Sequence, residues 1–203
     1  MKIVAVLIAL VATLALFGTA IAFHPWSVYH WTSDSLSPTV LDKTSSSLYD
    51  VGAGVAEWAD LGTPLQPVLA RKKGKITVSE ASSVFWLGLA QVFIDDGHIT
   101  KGRVKLNTSA LISLGSLAAD HVLCQELGHV LGLDHNRIEL NTCMNDQAPL
   151  GSATSPNVHD AEQLTLNHDH EDASGNGKGN GNGKGGRGKP ADGWITVHVF
   201  PLP

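Results

Sequence analysis

The chain has 203 residues, 43% of them hydrophobic and 16% charged, which is enough for one domain with a core of its own. Residues 23–174 carry 9 Lys and Arg against 18 Asp and Glu, whereas residues 175–203 carry 4 against 1. No part that could fold is strongly basic, so we expect no nucleic-acid partner.

The N-terminal segment predicts a secretory signal peptide. Lys2 precedes an apolar stretch over residues 3–17, and Ala20 and Ala22 then form an A-x-A cleavage site. We therefore expect a secreted mature chain that begins at Phe23. The alternative is an uncleaved N-terminal membrane anchor, because the whole segment approaches the ~20 residues that span a bilayer.

The first part of the mature chain predicts a strand followed by a helix. The strand lies around residues 28–31, where polar and apolar residues alternate. Asp42 or Thr44 can cap the helix, which ends near Trp58.

The next part predicts β-structure. Residues 67–70 and 75–78 fit two short strands or one hairpin. Residues 84–94 are apolar on both faces, as in a buried strand or strand pair. Residues 95–98 have the composition of a hairpin turn, and residues 99–107 alternate as a further strand.

Ser116–Leu131 is the clearest helix of the sequence, because its apolar residues recur at helical spacing and it contains no proline. Gln125 and His129 lie four residues apart and share one side of this helix. Glu126 lies about 100° further round, at the edge of that side. The helix therefore places an amide, a carboxylate and an imidazole close to one another.

A glycine ends this helix and sets up a metal site. Gly132 can adopt a positive φ, so the chain can turn sharply there. His135 can then approach His129. Two imidazoles, the Glu126 carboxylate and an open position are what a catalytic zinc site needs: ligands, a polarised water and a base for it.

This segment resembles the metzincin metalloprotease signature, His-Glu-x-x-His-x-x-Gly-x-x-His. Four of its five fixed positions match, at Glu126, His129, Gly132 and His135. The fifth differs, since Gln125 stands where the first ligand histidine belongs. The similarity is to matrixin-type metzincins, specific around the motif and looser elsewhere.

The resemblance implies an α+β fold, in which a twisted mixed sheet packs on the active-site helix and a Met-turn and a C-terminal helix follow. It implies that Zn²⁺ is held by His129, His135 and Gln125. It makes Glu126 the general base for peptide hydrolysis. It also makes residues 103–107 the edge strand that binds an extended substrate by strand addition.

Gln125 leaves three interpretations open. Its side-chain oxygen binds zinc as a neutral, weaker donor; or water fills the gap in a two-histidine site; or the chain is a metal-poor relative that binds peptides without cutting them. His121 is not a replacement ligand, because it lies about 12 Å along the helix from His129. Asp134 either supports the neighbouring His135 or lies exposed.

Two cysteines, Cys124 and Cys143, predict a disulfide in an exported chain, with zinc ligation by thiolate as the rival interpretation. The resemblance makes Met144 the Met-turn residue, placed below the zinc. A bridge between the cysteines would then tie the Met-turn to the metal-bearing helix.

The sequence divides into four parts. Residues 1–22 are the signal peptide and residues 23–173 the catalytic domain, which ends in a helix over residues 156–168. Residues 174–192 are a Gly/Asn/Lys-rich flexible linker. Residues 193–203 form a short strand-like tail, and its docking on the domain is left open.

The sequence thus predicts a secreted, monomeric zinc metalloendopeptidase that acts on protein or peptide substrates. Membrane association is expected only if the N-terminal segment stays uncleaved. One alternative is a catalytically weak or inactive peptide-binding protein with the same fold. The other is an exported protein whose disulfide and histidines are only structural.

Overall fold

The computed structural model describes residues 29–169 and 193–203, so the predicted signal peptide and glycine-rich linker lie outside the described residues. None of the described helices is both long and apolar enough to cross a membrane. The described α-helices and β-strands, in chain order, are β1 (His30–Trp31), β2 (Thr39–Lys43), α1 (Val51–Ala59), β3 (Val68–Ala70), β4 (Ile76–Ala81), β5 (Trp86–Asp95), β6 (His98–Asn107), α2 (Thr108–Leu114), α3 (Ser116–Leu131), α4 (Val158–Asn167) and β7 (Gly193–Pro201).

The described strands join one mixed sheet in the order β3-β2-β4-β6-β5-β7, and β1 also pairs with β6. β2 is parallel to β3 and β4, and β4 is parallel to β6. β5 runs antiparallel to β6, and β7 runs antiparallel to β5. The predicted α+β class is confirmed, because this mixed sheet packs on α3, the helix that carries the motif.

The predicted start of the first helix, at Asp42 or Thr44, is wrong. Asp42 belongs to β2, and its Oδ1 accepts hydrogen bonds from the backbone and the hydroxyl of Thr44 at 2.7 and 2.8 Å. This is an Asx turn, not a helix cap. α1 begins after Asp50, whose side chain accepts a hydrogen bond from the Ala53 N–H at 2.8 Å. Both aspartates carry the same local chemistry, so the sequence alone does not choose between them.

The two short strands after α1 do not form a hairpin. β3 and β4 lie on opposite sides of β2, and both are parallel to it. Leu41 of β2, for example, pairs with Ala70 on one side and with Thr77 on the other. Parallel neighbours require crossover connections, which the spacing of two short strands does not reveal.

The prediction that residues 103–107 form the edge strand is also wrong. β6 lies inside the sheet, where Val104 pairs with Val78 on one side and with Ala90 on the other. The outer strand of residues 29–169 on this side is β5. Alternation of polar and apolar residues reports one covered and one open face, a property that interior and edge strands share.

Two buried tryptophans fix α3 in the core. The indole N–H of Trp31 donates to the Val130 carbonyl at 3.0 Å, and that of Trp58 donates to the Cys124 carbonyl at 3.2 Å. Each ring buries a large apolar surface while its one polar atom is satisfied. Every residue of α3 over 121–131 is buried, so this helix is interior on all sides there.

The chain that follows the motif packs directly against α3. Cys124 and Cys143 form the predicted disulfide. Beside it, Met144 is fully buried next to Gly128. A Cβ added at Gly128 would lie 2.3 Å from Met144 Sδ and 2.6 Å from Trp58 Cζ2. The missing side chain at Gly128 therefore sets how closely the Met144 turn, residues 141–145, approaches α3.

α4 supports this turn through one buried carboxylate. Asp160 forms a capping box with Asn157 at the start of α4. The same carboxylate accepts hydrogen bonds from the Thr142 hydroxyl and, at 3.2 Å, from the Asn136 amide. The Asn136 N–H in turn donates to the Met144 carbonyl at 2.9 Å. The C-terminal helix and the Met144 turn are thus one hydrogen-bonded unit.

The C-terminal tail docks on the domain as β7. It pairs along the outer side of β5, from Ile94 opposite Gly193 to Trp86 opposite Pro201. β7 also contacts α3. The tail therefore reaches the helix that carries the motif, which its sequence had left open.

Candidate metal centre

Three imidazoles converge beside α3, from His129, His135 and His198. Each ring offers one ligand nitrogen, and these three atoms lie within 4.8 Å of one another. The ring centroids of His129 and His135 are 4.8 Å apart, and that of His198 lies 4.2 and 4.7 Å from them. The rings come from α3, from the loop after it and from β7.

The glycine bend brings the first two rings together. Gly132 ends α3 with a φ of 112°, in the left-handed region that favours glycine. The Leu133 N–H then donates to the Gly128 carbonyl at 3.1 Å. The Leu133 carbonyl lies 2.8 Å from His129 Nδ1. Because a carbonyl only accepts, Nδ1 carries the proton and Nε2 offers the lone pair.

His135 is oriented by two carboxylates. Its Nδ1 lies 3.3 Å from Asp146 Oδ2 and 3.5 Å from Asp134 Oδ1. Burial, followed by the charge of His198, lowers the pKa of His135 to about 4. The ring is therefore neutral at neutral pH, which is the form that binds a metal.

The two carboxylates differ in how firmly they are held. Arg137 donates to Asp146 Oδ2 at 2.7 Å. Burial raises the pKa of Asp146, but the hydrogen bond from Arg137 and the charge of that guanidinium outweigh it, so the pKa lies below its usual value. Asp134 accepts the His135 backbone N–H at 2.7 Å, yet its side chain is 41% exposed. Asp134 therefore lies close enough to His135 to support it, and its side chain is also partly exposed.

Gln125 is fully buried on α3, four residues before His129. Its Nε2 donates to the Cys143 carbonyl at 2.8 Å, which fixes the orientation of the amide. Its Oε1 has no hydrogen-bond partner among the described residues. A buried acceptor without a partner is costly. The ligand role predicted for Gln125 stays a prediction, and this oxygen is the atom that would fulfil it.

Glu126 is fully buried and touches the third imidazole. Its Oε1 lies 2.8 Å from His198 Nδ1, and its Oε2 has no hydrogen-bond partner within the described ranges. Burial raises the pKa of Glu126, and the hydrogen bond and charge of His198 counter part of that rise. Gly88 of β5 leaves room for the carboxylate, because a Cβ there would lie 2.7 Å from Glu126 Oε1.

A bulge in β7 aims His198 at the other histidines. Ala90 pairs with His198 and Gln91 with Thr196, so Val197 is an extra residue in β7. A bulge of this kind turns two consecutive side chains toward the same face. Val197 is buried there, and the His198 side chain is 9% exposed.

No role is predicted for His198 from the sequence. Two signals could have suggested one. Gln125 leaves the motif one imidazole short, and His198 is the one histidine in residues 171–203. A Gly/Asn/Lys-rich segment precedes it in the sequence, and a linker of that composition can deliver a strand to a distant site.

His121 lies apart from the three rings. Its Nδ1 accepts the Gly151 N–H at 3.1 Å, and burial lowers its pKa to about 4. It is not part of the group of possible metal ligands in the described residues. The expectation that His121 does not replace the missing ligand agrees with this position.

The residues fit a zinc ion by their chemistry. Neutral imidazole is a preferred zinc ligand, and an amide oxygen is a weaker one. His135 Nε2 is buried without a hydrogen-bond partner in the described parts of the chain, as Gln125 Oε1 is. Buried polar atoms of this kind need a partner, and a cation would supply it.

No model of a protein family matches the chain, and no curated protein matches its sequence. Among solved structures, the chain is similar to high choriolytic enzyme 1, a hatching-enzyme zinc protease from the medaka fish Oryzias latipes. The identity is 13%, the TM-score is 0.39, and the match covers 70% of this chain and 94% of that one. So distant a likeness supports no functional conclusion, which must come from the site itself.

Proposed function

We propose that the chain is a zinc-dependent metalloendopeptidase that hydrolyses peptide bonds in protein or peptide substrates. The observation that supports this most is the convergence of three imidazoles, whose ligand nitrogens lie within 4.8 Å of one another, together with the buried Glu126 carboxylate on α3, the helix that carries His129. Glu126, His129 and His135 hold the spacing of the metzincin motif. Imidazole ligands beside a carboxylate are the parts of a peptidase zinc site.

The zinc would be held by His129 and His135, with Gln125 Oε1 as a neutral third donor. His198 also lies within reach of the same ion. Zn²⁺, when bound, supplies Lewis-acid polarisation of a carbonyl and lowers the pKa of a water molecule. The chain keeps the imidazoles oriented, through the Leu133 carbonyl at His129 and the Asp146 carboxylate at His135.

Glu126 would move the proton. Its raised pKa brings the carboxyl closer to working pH, where a general base is most effective. His198 occupies Oε1, and Oε2 remains for a proton taken from water and returned to the leaving amine. The buried position of Glu126 excludes bulk water, which strengthens every polar interaction around it.

We further propose that the protein is secreted and has one catalytic domain. A disulfide persists in oxidising compartments, so the Cys124–Cys143 bridge supports secretion. Cleavage of the signal peptide before Phe23 would release the mature chain. Residues 23–173 would form the catalytic domain, and the protein would act as a monomer.

Metal analysis and a cleavage assay test this function. The mature full chain is expected to hold about one zinc per molecule and to cut an unstructured protein. Replacing both His129 and His135 by alanine should remove the zinc, whereas His159→Ala on α4 should not. A folded chain that takes up no zinc would sink the proposal.

A peptide-binding protein without hydrolytic activity is the second candidate. It is favoured by one observation: an extended segment, β7, already pairs with β5 beside the three histidines. Such a protein would bind unfolded peptides but leave them intact under every condition. The cleavage assay on zinc-loaded protein separates the two candidates.

A further inference from the structure

The outer edge of β5 is the surface where a peptide would meet the metal centre. β5 pairs with β6 on its inner side, and its outer side runs past α3 at the level of Glu126. Gly88 of β5 lies so close to Glu126 that no side chain fits between them. An extended peptide that adds to this edge would therefore pass the carboxylate and the imidazoles.

β7 occupies this edge. It pairs antiparallel with β5 over almost the whole length of that strand. A peptide that adds to β5 would need the backbone N–H and C=O groups that β7 now uses. Binding of β7 and of such a peptide is therefore mutually exclusive.

The side chains of β7 resemble those of a bound peptide. Ile195 and Phe200 are half-buried against the core, and Val197 is buried. His198 points between them to the histidines and to Glu126. β7 thus combines backbone pairing, apolar anchors and one ligand side chain at the reacting position.

His198 changes the ligand count of the site. A catalytic zinc site has three protein ligands and keeps one position for water or substrate, whereas a structural site is closed by four. His129, His135 and Gln125 make three. His198 would make the fourth.

We propose that β7 is an intramolecular inhibitor, which fills the peptide-binding edge of β5 and closes the metal centre with His198. This inference rests on the proposed function. It also names the substrate class: an extended, unfolded polypeptide with bulky apolar side chains, bound antiparallel to β5 in place of β7. Residues 174–192 join the tail to the rest of the chain, and a Gly-rich linker of about this length gives an effective concentration in the millimolar range.

β7 can be loosened by a substitution on the face that points away from the metal centre. Trp194 packs 5.5 Å from the ring of Phe93, and the Arg103 guanidinium lies 3.7 Å from its centroid. Trp194→Ala removes these contacts and should loosen β7. Val199→Ala is the matched control, since Val199 lies on the same strand and is 42% exposed.

The first experiment compares full-length variants in the cleavage assay and by metal analysis. His198→Ala and Trp194→Ala should each raise the rate of substrate cleavage at least about tenfold, because the tethered strand binds its edge less tightly and competes less well with substrate. Both should keep their zinc, and Val199→Ala should behave as wild type. Loss of zinc and of activity in His198→Ala would overturn the inference, because His198 would then be a resident ligand.

The second experiment measures whether a peptide displaces β7 from the outer edge of β5, and it does not depend on catalysis. Hydrogen exchange of β7 amides is followed in the chelator-treated full chain, with and without a saturating unstructured peptide. We expect faster exchange in β7 when the peptide binds, and unchanged protection in β4. Peptide binding that leaves β7 protected would overturn the inference.

The two experiments separate this inference from the proposed function. If wild type, His198→Ala and Trp194→Ala all bind zinc and cleave substrate at equal rates, the peptidase function is supported and the inhibitory role of β7 is contradicted. No cleavage by any zinc-loaded variant would remove the peptidase, while displacement of β7 by peptide would still support its place on the binding edge.

Discussion

The Nδ1 atom of His198 lies 2.8 Å from Oε1 of Glu126, although 72 positions separate the two residues in the chain. The His198 side chain is 9% exposed and that of Glu126 is fully buried. A buried carboxylate without a partner is costly, so His198 stabilises Glu126 in this arrangement. The two residues are therefore coupled, and the effect of changing one depends on the state of the other.

Glu126→Gln tests the proton-transfer role. The amide keeps the shape of the side chain but cannot accept a proton, so kcat/KM should fall by about 10² to 10⁴. Zinc content should not change. The assay should be repeated in the His198→Ala background, where the base has lost its partner. Glu162→Gln, on the exposed side of α4, is the control, and full activity of Glu126→Gln would refute the assignment.

Gln125→His tests whether this position faces the metal. An imidazole is a stronger zinc donor than an amide oxygen, so the zinc affinity should rise at least about tenfold. Competition with a chromophoric chelator measures the change. Gln66→His adds a histidine outside the cluster and should have no effect. An unchanged affinity in Gln125→His would mean that Gln125 does not point at the ion.

The sequence was most informative where the chemistry is local. The α3 helix, the Gly132 bend and the approach of His135 to His129 follow from spacing over eleven residues. Helix periodicity and the positive φ of one glycine suffice to bring these groups together. The structure adds the partners at Leu133 and Asp146, which spacing does not indicate.

Long-range pairing was where sequence reasoning failed. The place of β6 inside the sheet depends on β4 and β5, and alternation along one strand does not name its neighbours. The role of His198 depends on a strand that pairs with β5 although a long Gly/Asn/Lys-rich stretch of sequence precedes it. The extra residue Val197 turns the His198 ring inward. A bulge of this kind cannot be recognised from the sequence of one strand alone.

The Cys124–Cys143 bridge should stabilise the fold and the metal centre together. Replacing both cysteines by alanine removes a cross-link over 19 positions, which should lower the free energy of unfolding by about 3 kcal/mol. Urea unfolding measures this loss. Zinc affinity should fall too, because Gln125 donates to the Cys143 carbonyl. Reduction of the wild-type chain should give the same result, and a chain that is equally stable without the bridge would contradict it.

Gly128→Ala should disrupt the contact between α3 and the Met144 turn. The new Cβ would lie 2.3 Å from Met144 Sδ and 2.6 Å from the buried ring of Trp58, so a packed side chain must move. Overpacking of this kind costs about 1 to 3 kcal/mol of unfolding free energy.

Gly52→Ala is the matched control for that substitution. Gly52 is also helical, but its nearest neighbours lie 3.4 and 3.5 Å from an added Cβ, which is ordinary contact. Alanine there should raise the unfolding free energy by about 0.5 to 1 kcal/mol, because alanine favours the helix over glycine. Thermal or urea unfolding compares the two variants. Equal effects at the two positions would mean that helix propensity, not the fit of Met144 against α3, governs Gly128.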